Sequence, residues 1–202
     1  MQVINHLSWP ECLSINAGIP DAEASITYEF FEHVVKSICE YGQGSLLAKL
    51  DLKDAFHHIP VQPQDWRLQG FHWEGNFFFS SILIFGTKLV PYIFNLFTGV
   101  LHWIIQQHIP AALKHYLDDF LPIFQLSIGL HTANATVSWM QCRGKQLGLQ
   151  FQESKTVHPC TCLEFLSIKL DLSKMEACLP ASKLSFLLQL LESWELKCTC
   201  ML

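Results

Sequence analysis

The sequence is short of charge. Only 15% of its 202 residues are Asp, Glu, Lys or Arg, while half are apolar. A chain this greasy can bury enough surface to offset its conformational entropy, which excludes a disordered protein. Basic residues are scarcer still: 13 Lys and Arg stand against 18 Asp and Glu, for a formal net charge of -5. That balance supplies no general attraction to nucleic acid, so any such binding would depend on a local basic groove. Internal repeats, low-complexity segments and flexible linkers are missing too, so nothing in the composition marks a domain boundary.

The amino terminus, MQVINHLSWPEC, lacks a basic head followed by an apolar signal core. Without a secretory leader, the eight cysteines (Cys12, Cys39, Cys142, Cys160, Cys162, Cys178, Cys198 and Cys200) read as reduced thiols of a cytoplasmic or nuclear protein. The pairs Cys160/Cys162 and Cys198/Cys200, with His158 nearby, invite zinc. Their C-x-C spacing departs from that of common structural zinc sites, which favours ordinary thiols. From Leu89 to Leu113 there is no Asp, Glu, Lys or Arg. The apolar part, LVPYIFNLFTGVLHWII, only reaches the lower limit of roughly 17 residues for a membrane span. It also carries Pro91, Asn95 and His102, so a buried amphipathic helix explains it better and a membrane partner is not expected.

Hydrophobic spacing then predicts the elements. Phe31, Val34, Val35 and Ile38 recur at helical intervals over 28–41, with Gly42 to close the end. SLLAKLDL, 45–52, is a buried-strand candidate that stops at acidic residues. WRLQGFHWEGNFFFSSILIF, 66–85, reads as an aromatic hairpin around Glu74-Gly75-Asn76. Pro91 opens a helix that ends near Pro110. A further helix over about 132–147 closes at Gly148, LQFQESKT and CLEFLSIKLD are strand candidates, and 182–194 is an amphipathic helix. The order of strand, helix, strand pair, helix and strands is that of an α+β fold with a ferredoxin-like split βαβ core.

HYLDDFLP, 115–122, sets two adjacent carboxylates among apolar residues. By itself an Asp-Asp pair is most simply a solvated hairpin turn. Asp51, however, ends a strand that could lie beside that turn. Three carboxylates from two strands make a hard oxygen set of the kind Mg2+ prefers, and two such ions can assist in-line attack at a phosphate.

The ordered series Asp51-Leu52-Lys53-Asp54-Ala55-Phe56, Phe85-Gly86 with Pro91-Tyr92-Ile93-Phe94-Asn95, Tyr116-Leu117-Asp118-Asp119, Gly148-Leu149 with Lys155, and Phe165-Leu166-Ser167 resembles the motifs of retroelement reverse transcriptases. Nearly the whole chain is covered, and the resemblance is closest to DIRS-like, tyrosine-recombinase retrotransposons. It implies a polymerase palm with partial fingers over 1–178 and a truncated start of a thumb over 179–202. It implies an RNA-directed DNA polymerase that uses two Mg2+ ions, or Mn2+ in their place, with an RNA or DNA template, a primer and deoxynucleoside triphosphates as partners.

Residue by residue, it implies that Asp51, Asp118 and Asp119 are the metal ligands and catalytic carboxylates, and that Lys155 donates a proton to pyrophosphate. Asp54, Ala55 and Phe56 would lie under the nucleotide, with the amides after Asp51 meeting its triphosphate and Phe56 crowding a ribose 2'-hydroxyl. Phe85 and Gly86 would pack against the new base pair. Phe165, Leu166 and Ser167 would form the primer grip, and Lys183 and Lys197 would contact backbone phosphates. The chain departs from the family at Gln2, where an Arg usually holds the triphosphate, at Ile84, which replaces a Pro, and at Ser167, which replaces a Gly. A neutral amide cannot substitute for a guanidinium at a phosphate. The resemblance also implies that the remaining fingers and thumb, or a ribonuclease H, would have to come from elsewhere. The alternative is an inactive retrotransposon-derived remnant that serves as a nucleic-acid-binding or interaction module.

Overall fold

The computed structural model describes residues 7–26, 28 and 31–195. In chain order its regular elements are α1 (Phe31–Tyr41), β1 (Leu46–Asp51), β2 (Gly70–Trp73), β3 (Asn76–Phe79), α2 (Val90–Gln106), β4 (Ala112–Tyr116), β5 (Asp119–Phe124) and α3 (Gly129–Gln146). They continue with β6 (Val157–Cys160), β7 (Cys162–Phe165), β8 (Ile168–Asp171), β9 (Glu176–Cys178) and α4 (Ala181–Glu195). The central sheet has the order β4-β5-β1-β6, every neighbouring pair antiparallel. With α2 leading to β4 and α3 leading to β6, this is the expected split βαβ arrangement.

Strand alternation divides the sheet into two faces. Ala48 and Leu50 of β1, followed by Leu52, and Phe120 and Phe124 of β5 meet Phe94, Leu101 and Ile105 of α2 and Ala133, Val137 and Met140 of α3. Leu47, Leu121 and Ile123 take the other face, against Val34 and Ile38 of α1 and Leu163, Phe165 and Leu170 of the β7–β8 hairpin. Burying each of the larger side chains among these contributes about 1.5–3 kcal/mol relative to leaving it in water, and each alanine less. By the same alternation Lys49, Asp51 and Asp119 belong to the second face. It is apolar at one end and charged at the other.

The return from α3 is tightly fitted. Gly148 closes the helix at φ +78°, and its N–H bonds Lys145 O at 3.2 Å. A Cβ at Gly144 would stand 2.6 Å from Leu149 O and 2.8 Å from the Phe151 ring, so only glycine lets the chain fold back this closely. Phe151 then bridges Leu52, and Gln152 N–H bonds Asp51 O at 2.7 Å. The short 3-10 turn Glu153–Lys155 is thereby held at the end of β1.

Several boundaries differ from expectation. Tyr28 lies outside α1 and stacks on Tyr116 at 4.7 Å. The aromatic hairpin is shorter than 66–85: Pro63–Gln69 is a 3-10 helix, and pairing stops at Phe79. LQFQESKT is not one strand: Phe151 makes a single bridge to Leu52, and the 3-10 turn Glu153–Lys155 interrupts the pairing before β6 resumes it at Val157. CLEFLSIKLD is two strands, reversing at Leu166 (φ +48°) and Ser167 (φ +68°). The helix over 182–194 forms, but the described side chains of α4 are all exposed. Its apolar residues include Phe186 and Leu190 besides the stripe through Leu184, Leu187 and Leu191, so apolar surface extends beyond one face. Among the described residues no helix is long and apolar enough to cross a membrane.

Candidate functional site

Antiparallel pairing of β1 with β5 sets Asp51 directly opposite Asp119. On the other side of β5, Tyr116 pairs with Asp119, which leaves Leu117 and Asp118 as a two-residue hairpin turn. Leu117 holds φ +53°, a conformation that tight hairpins normally give to glycine. A non-glycine residue there costs on the order of 1–3 kcal/mol. The turn is fixed by what surrounds it: Leu117 packs on the core cluster, and Leu52 N–H donates to Asp118 O at 2.9 Å. Asp51 and Asp119, 68 positions apart in sequence, are therefore brought side by side by strand register.

Asp51, Asp118 and Asp119 line one open cleft of about 570 Å³ with Lys49, Tyr116, Lys155, Val157, Glu164, Leu166 and Ser167. Two ammonium groups meet the acids. Lys155 Nζ donates to both oxygens of Asp51, at 3.0 and 3.1 Å. Lys49 Nζ lies 3.1 Å from Asp119 Oδ1. Asp119 Oδ1 is buried against this ammonium, which offsets its charge. Burial pushes the Asp118 and Asp119 carboxyls above the usual range. Neighbouring carboxylates push the same way, and Lys155 and, for Asp119, Lys49 oppose them. The hydrogen bond to Asp51 holds the Lys155 ammonium above its ordinary value, so it stays charged.

The cleft thus contains hard oxygen donors and carboxylates held above their ordinary range. This chemistry suits a divalent cation. The three acids do not yet converge: among the described residues no group of three or more His, Cys, Asp or Glu is gathered to hold an ion. Lys155 and Lys49 occupy oxygens that a cation would take. Cys160 and Cys162 form no disulfide among the described residues, while Cys198 and Cys200 lie outside the described residues, as do Gln2 and Lys197.

The other expected site residues divide. Leu166 and Ser167 reach the cleft, but Phe165 is a core residue at 1% exposure. Asp54, with φ +54°, leads into a 3-10 turn carrying Ala55 and Phe56. Phe56 packs edge-on against Phe85 at 4.8 Å and Phe94 at 4.9 Å. The amides of Leu52 and Lys53 are already bonded, to Asp118 O and Gln150 O, so a phosphate would be met from Asp54 onward. Gly86 O accepts from Asn16 Nδ2 at 2.7 Å, tying the segment before α2 to the amino-terminal stretch. Ile84 lines an apolar cavity with Leu83, Val90 and Ile93. Lys183 sits on exposed α4.

Sequence reasoning missed Lys49, Glu164 and the Tyr28–Tyr116 stack. Lys49 left a signal: it is the one charge inside SLLAKL, two positions before Asp51 and so on the same strand face. Glu164 and Tyr28 left none, since a hairpin and a loop bring them in.

Comparison with known proteins agrees with this architecture. The solved foamy virus protease-reverse transcriptase in complex with double-stranded DNA superposes with a TM-score of 0.65 over 84% of this chain and 27% of that one, at 16% identity. The prototype foamy virus protease-reverse transcriptase CSH mutant gives 0.59 over 79% of this chain and 20% of that one, at 19% identity. Protein P of duck hepatitis B virus (strain Germany/DHBV-3) is 30% identical over 125 residues, which is 60% of this chain and 15% of the viral protein. The chain therefore spans only a small part of the proteins it resembles. Residues 13–170 match the model of the reverse transcriptase (RNA-dependent DNA polymerase) family, and the chain belongs to that family.

Proposed function

We propose that this chain is the palm of an RNA-directed DNA polymerase, extending a primer with deoxynucleotides on an RNA or DNA template. The observation that carries the reading is the register Asp51 opposite Asp119 with Asp118 in the adjoining turn. It occurs in a chain of this family, and solved relatives are described in complex with double-stranded DNA and with an RNA/DNA hybrid. The family match across most of the chain favours a polymerase over an inert remnant. Within the family, the LDLKDAF and YLDD blocks support a place near the DIRS-like retrotransposons. We assign 1–178 to palm and partial fingers, 179–202 to the start of a thumb, and the protein to the cytoplasm or nucleus.

Asp51, Asp118 and Asp119 would hold two Mg2+ ions, or Mn2+, which supply positive charge for in-line attack of a primer 3'-hydroxyl on an α-phosphate. The residues of the chain do the rest. Lys155, kept charged by Asp51, is placed to give a proton to departing pyrophosphate once it is released from that carboxylate. Leu166 and Ser167, at the tip of the β7–β8 hairpin, border the same cleft and would steady the primer end. The ring of Phe56, wedged between Phe85 and Phe94, would stand against a ribose 2'-hydroxyl, with Asp54, Ala55 and Gly86 around the nucleotide. Positioning by such rigid parts supplies much of the rate in phosphoryl transfer.

Primer extension on an RNA and on a DNA template with Mg2+ or Mn2+ tests this. Wild-type protein is expected to incorporate deoxynucleotides, and Asp118→Asn/Asp119→Asn to lose incorporation while keeping its fold. A folded wild type that incorporates nothing on either template would overturn the reading.

A further inference from the structure

The two lysines of the cleft are not equivalent. Lys155 projects from a short 3-10 turn, and its side chain is 56% exposed. Lys49 projects from the central strand, and its side chain is 22% exposed. Its neighbour across β6 is Val157, and the register between the two strands shifts between Leu47 and Lys49. Such a bulge re-aims a side chain next to a functional site. An ammonium on an exposed turn can leave its carboxylate at little cost. One carried by a central strand between two paired strands, with its side chain mostly buried, is held beside Asp119.

We propose that Lys49 is a positioning residue, a resident counter-ion that holds Asp119 so that entering divalent metal is taken chiefly by Asp51 and Asp118, with Lys155 as the ammonium that yields. The proposal rests on the reading of the cleft as a polymerase site and adds a division of labour among its acids. Asp119 neutralises and is neutralised within the protein, whereas Asp51 exchanges one cation for another. Lys49 also keeps a positive charge beside the ion, which weakens the ion's binding and favours its exchange.

Mn2+ binding to the full chain, read from the resonance of free Mn2+, tests this without needing turnover. Asp51→Asn is expected to weaken binding at least about tenfold and Asp119→Asn less than about twofold. Lys49→Gln is expected to tighten it about tenfold, Lys49→Arg to stay near wild type, and adding Asp119→Asn to Lys49→Gln to remove the gain. A lysine that acted on the ion by charge alone would keep the tightening in the Asp119→Asn background. Unchanged or weaker binding by folded Lys49→Gln overturns the proposal. If Lys49→Gln fails to fold, the wild-type background decides: Asp119→Asn as damaging as Asp51→Asn overturns it, and an Asp119→Asn loss below twofold beside a tenfold Asp51→Asn loss upholds it. Mn2+ binding that ignores Asp51→Asn removes the polymerase reading of the cleft, and the Lys49 proposal with it.

Discussion

Two hairpins of this chain are built to opposite rules. In β4–β5 the turn is Leu117-Asp118, the strands carry Leu113, Phe120, Leu121, Ile123 and Phe124, and all five are buried. In β2–β3 the turn is Glu74-Gly75, both at positive φ as a tight two-residue turn prefers, and Trp73, Phe77 and Phe79 are exposed. Both carry large apolar side chains in their strands. The difference is the third strand: β5 is sandwiched between β4 and β1, while β2 and β3 have only each other. Apolar content alone therefore does not decide burial: both turns carry a non-glycine residue at positive φ, Leu117 and Glu74, but only Leu117 is packed on a core. The lone hairpin depends on cross-strand aromatics such as Phe71 stacked on Phe78 at 5.5 Å.

The largest expected effect is at Phe120, fully buried between the His115 ring and the edge of Phe151. Phe120→Ala should cost about 3–5 kcal/mol, measured by urea unfolding, and should loosen Asp119 beside it. A cost near 1 kcal/mol would mean that the hairpin is not clamped as described. Next comes the histidine pair behind the same strand. His102 and His115 meet Nδ1 to Nδ1 at 2.7 Å, one donating and one accepting. Burial pushes each down to about 4, helped for His102 by the Lys114 charge and for His115 by His102 itself. The folded state thus disfavours protonation that the unfolded chain accepts near pH 6.5. Stability should be full above about pH 6.5 and fall on acidification toward about 4. Asp118 and Asp119, held above the usual carboxylate range, bias the fold the opposite way in acid. The contribution of the histidines is therefore the difference from His102→Leu/His115→Leu, and an identical pH slope in that variant would remove it.

The strands and helices of the sandwiched region were legible because their apolar residues repeat at clean intervals and their ends carry Gly or Pro. The acid pair was legible as a turn, and its partner Asp51 through family resemblance. What could not be read is register. Nothing local says that residue 51 faces 119 and not 118 or 120, since that depends on the length of α2 and of the loops around it. The His102–His115 contact joins a helix to a strand and leaves no spacing signal. The 66–85 stretch was read too long because aromatic density resembles strand propensity, although Pro63–Gln69 turns as a 3-10 helix.

Smaller effects belong to the lone hairpin. Gly75→Ala places a Cβ in open space, so its only cost is the backbone conformation at φ +80°, about 1 kcal/mol. Hydrogen exchange at the Phe71 and Phe78 amides should speed up by about fivefold while the amides of β5 stay unchanged, because the two hairpins open separately. Equal acceleration in both would mean that they are one cooperative unit. Phe77→Ser should be the quietest change. The ring is 85% exposed and touches His72 edge-on at 5.0 Å, so water sees it in the folded and unfolded states alike. Its loss should move the urea midpoint by no more than about 0.5 kcal/mol allows. A larger drop would require the ring to be covered in solution, and an apolar surface that is covered would place β2–β3 under the same rule as β4–β5, with a neighbour standing in for the third strand.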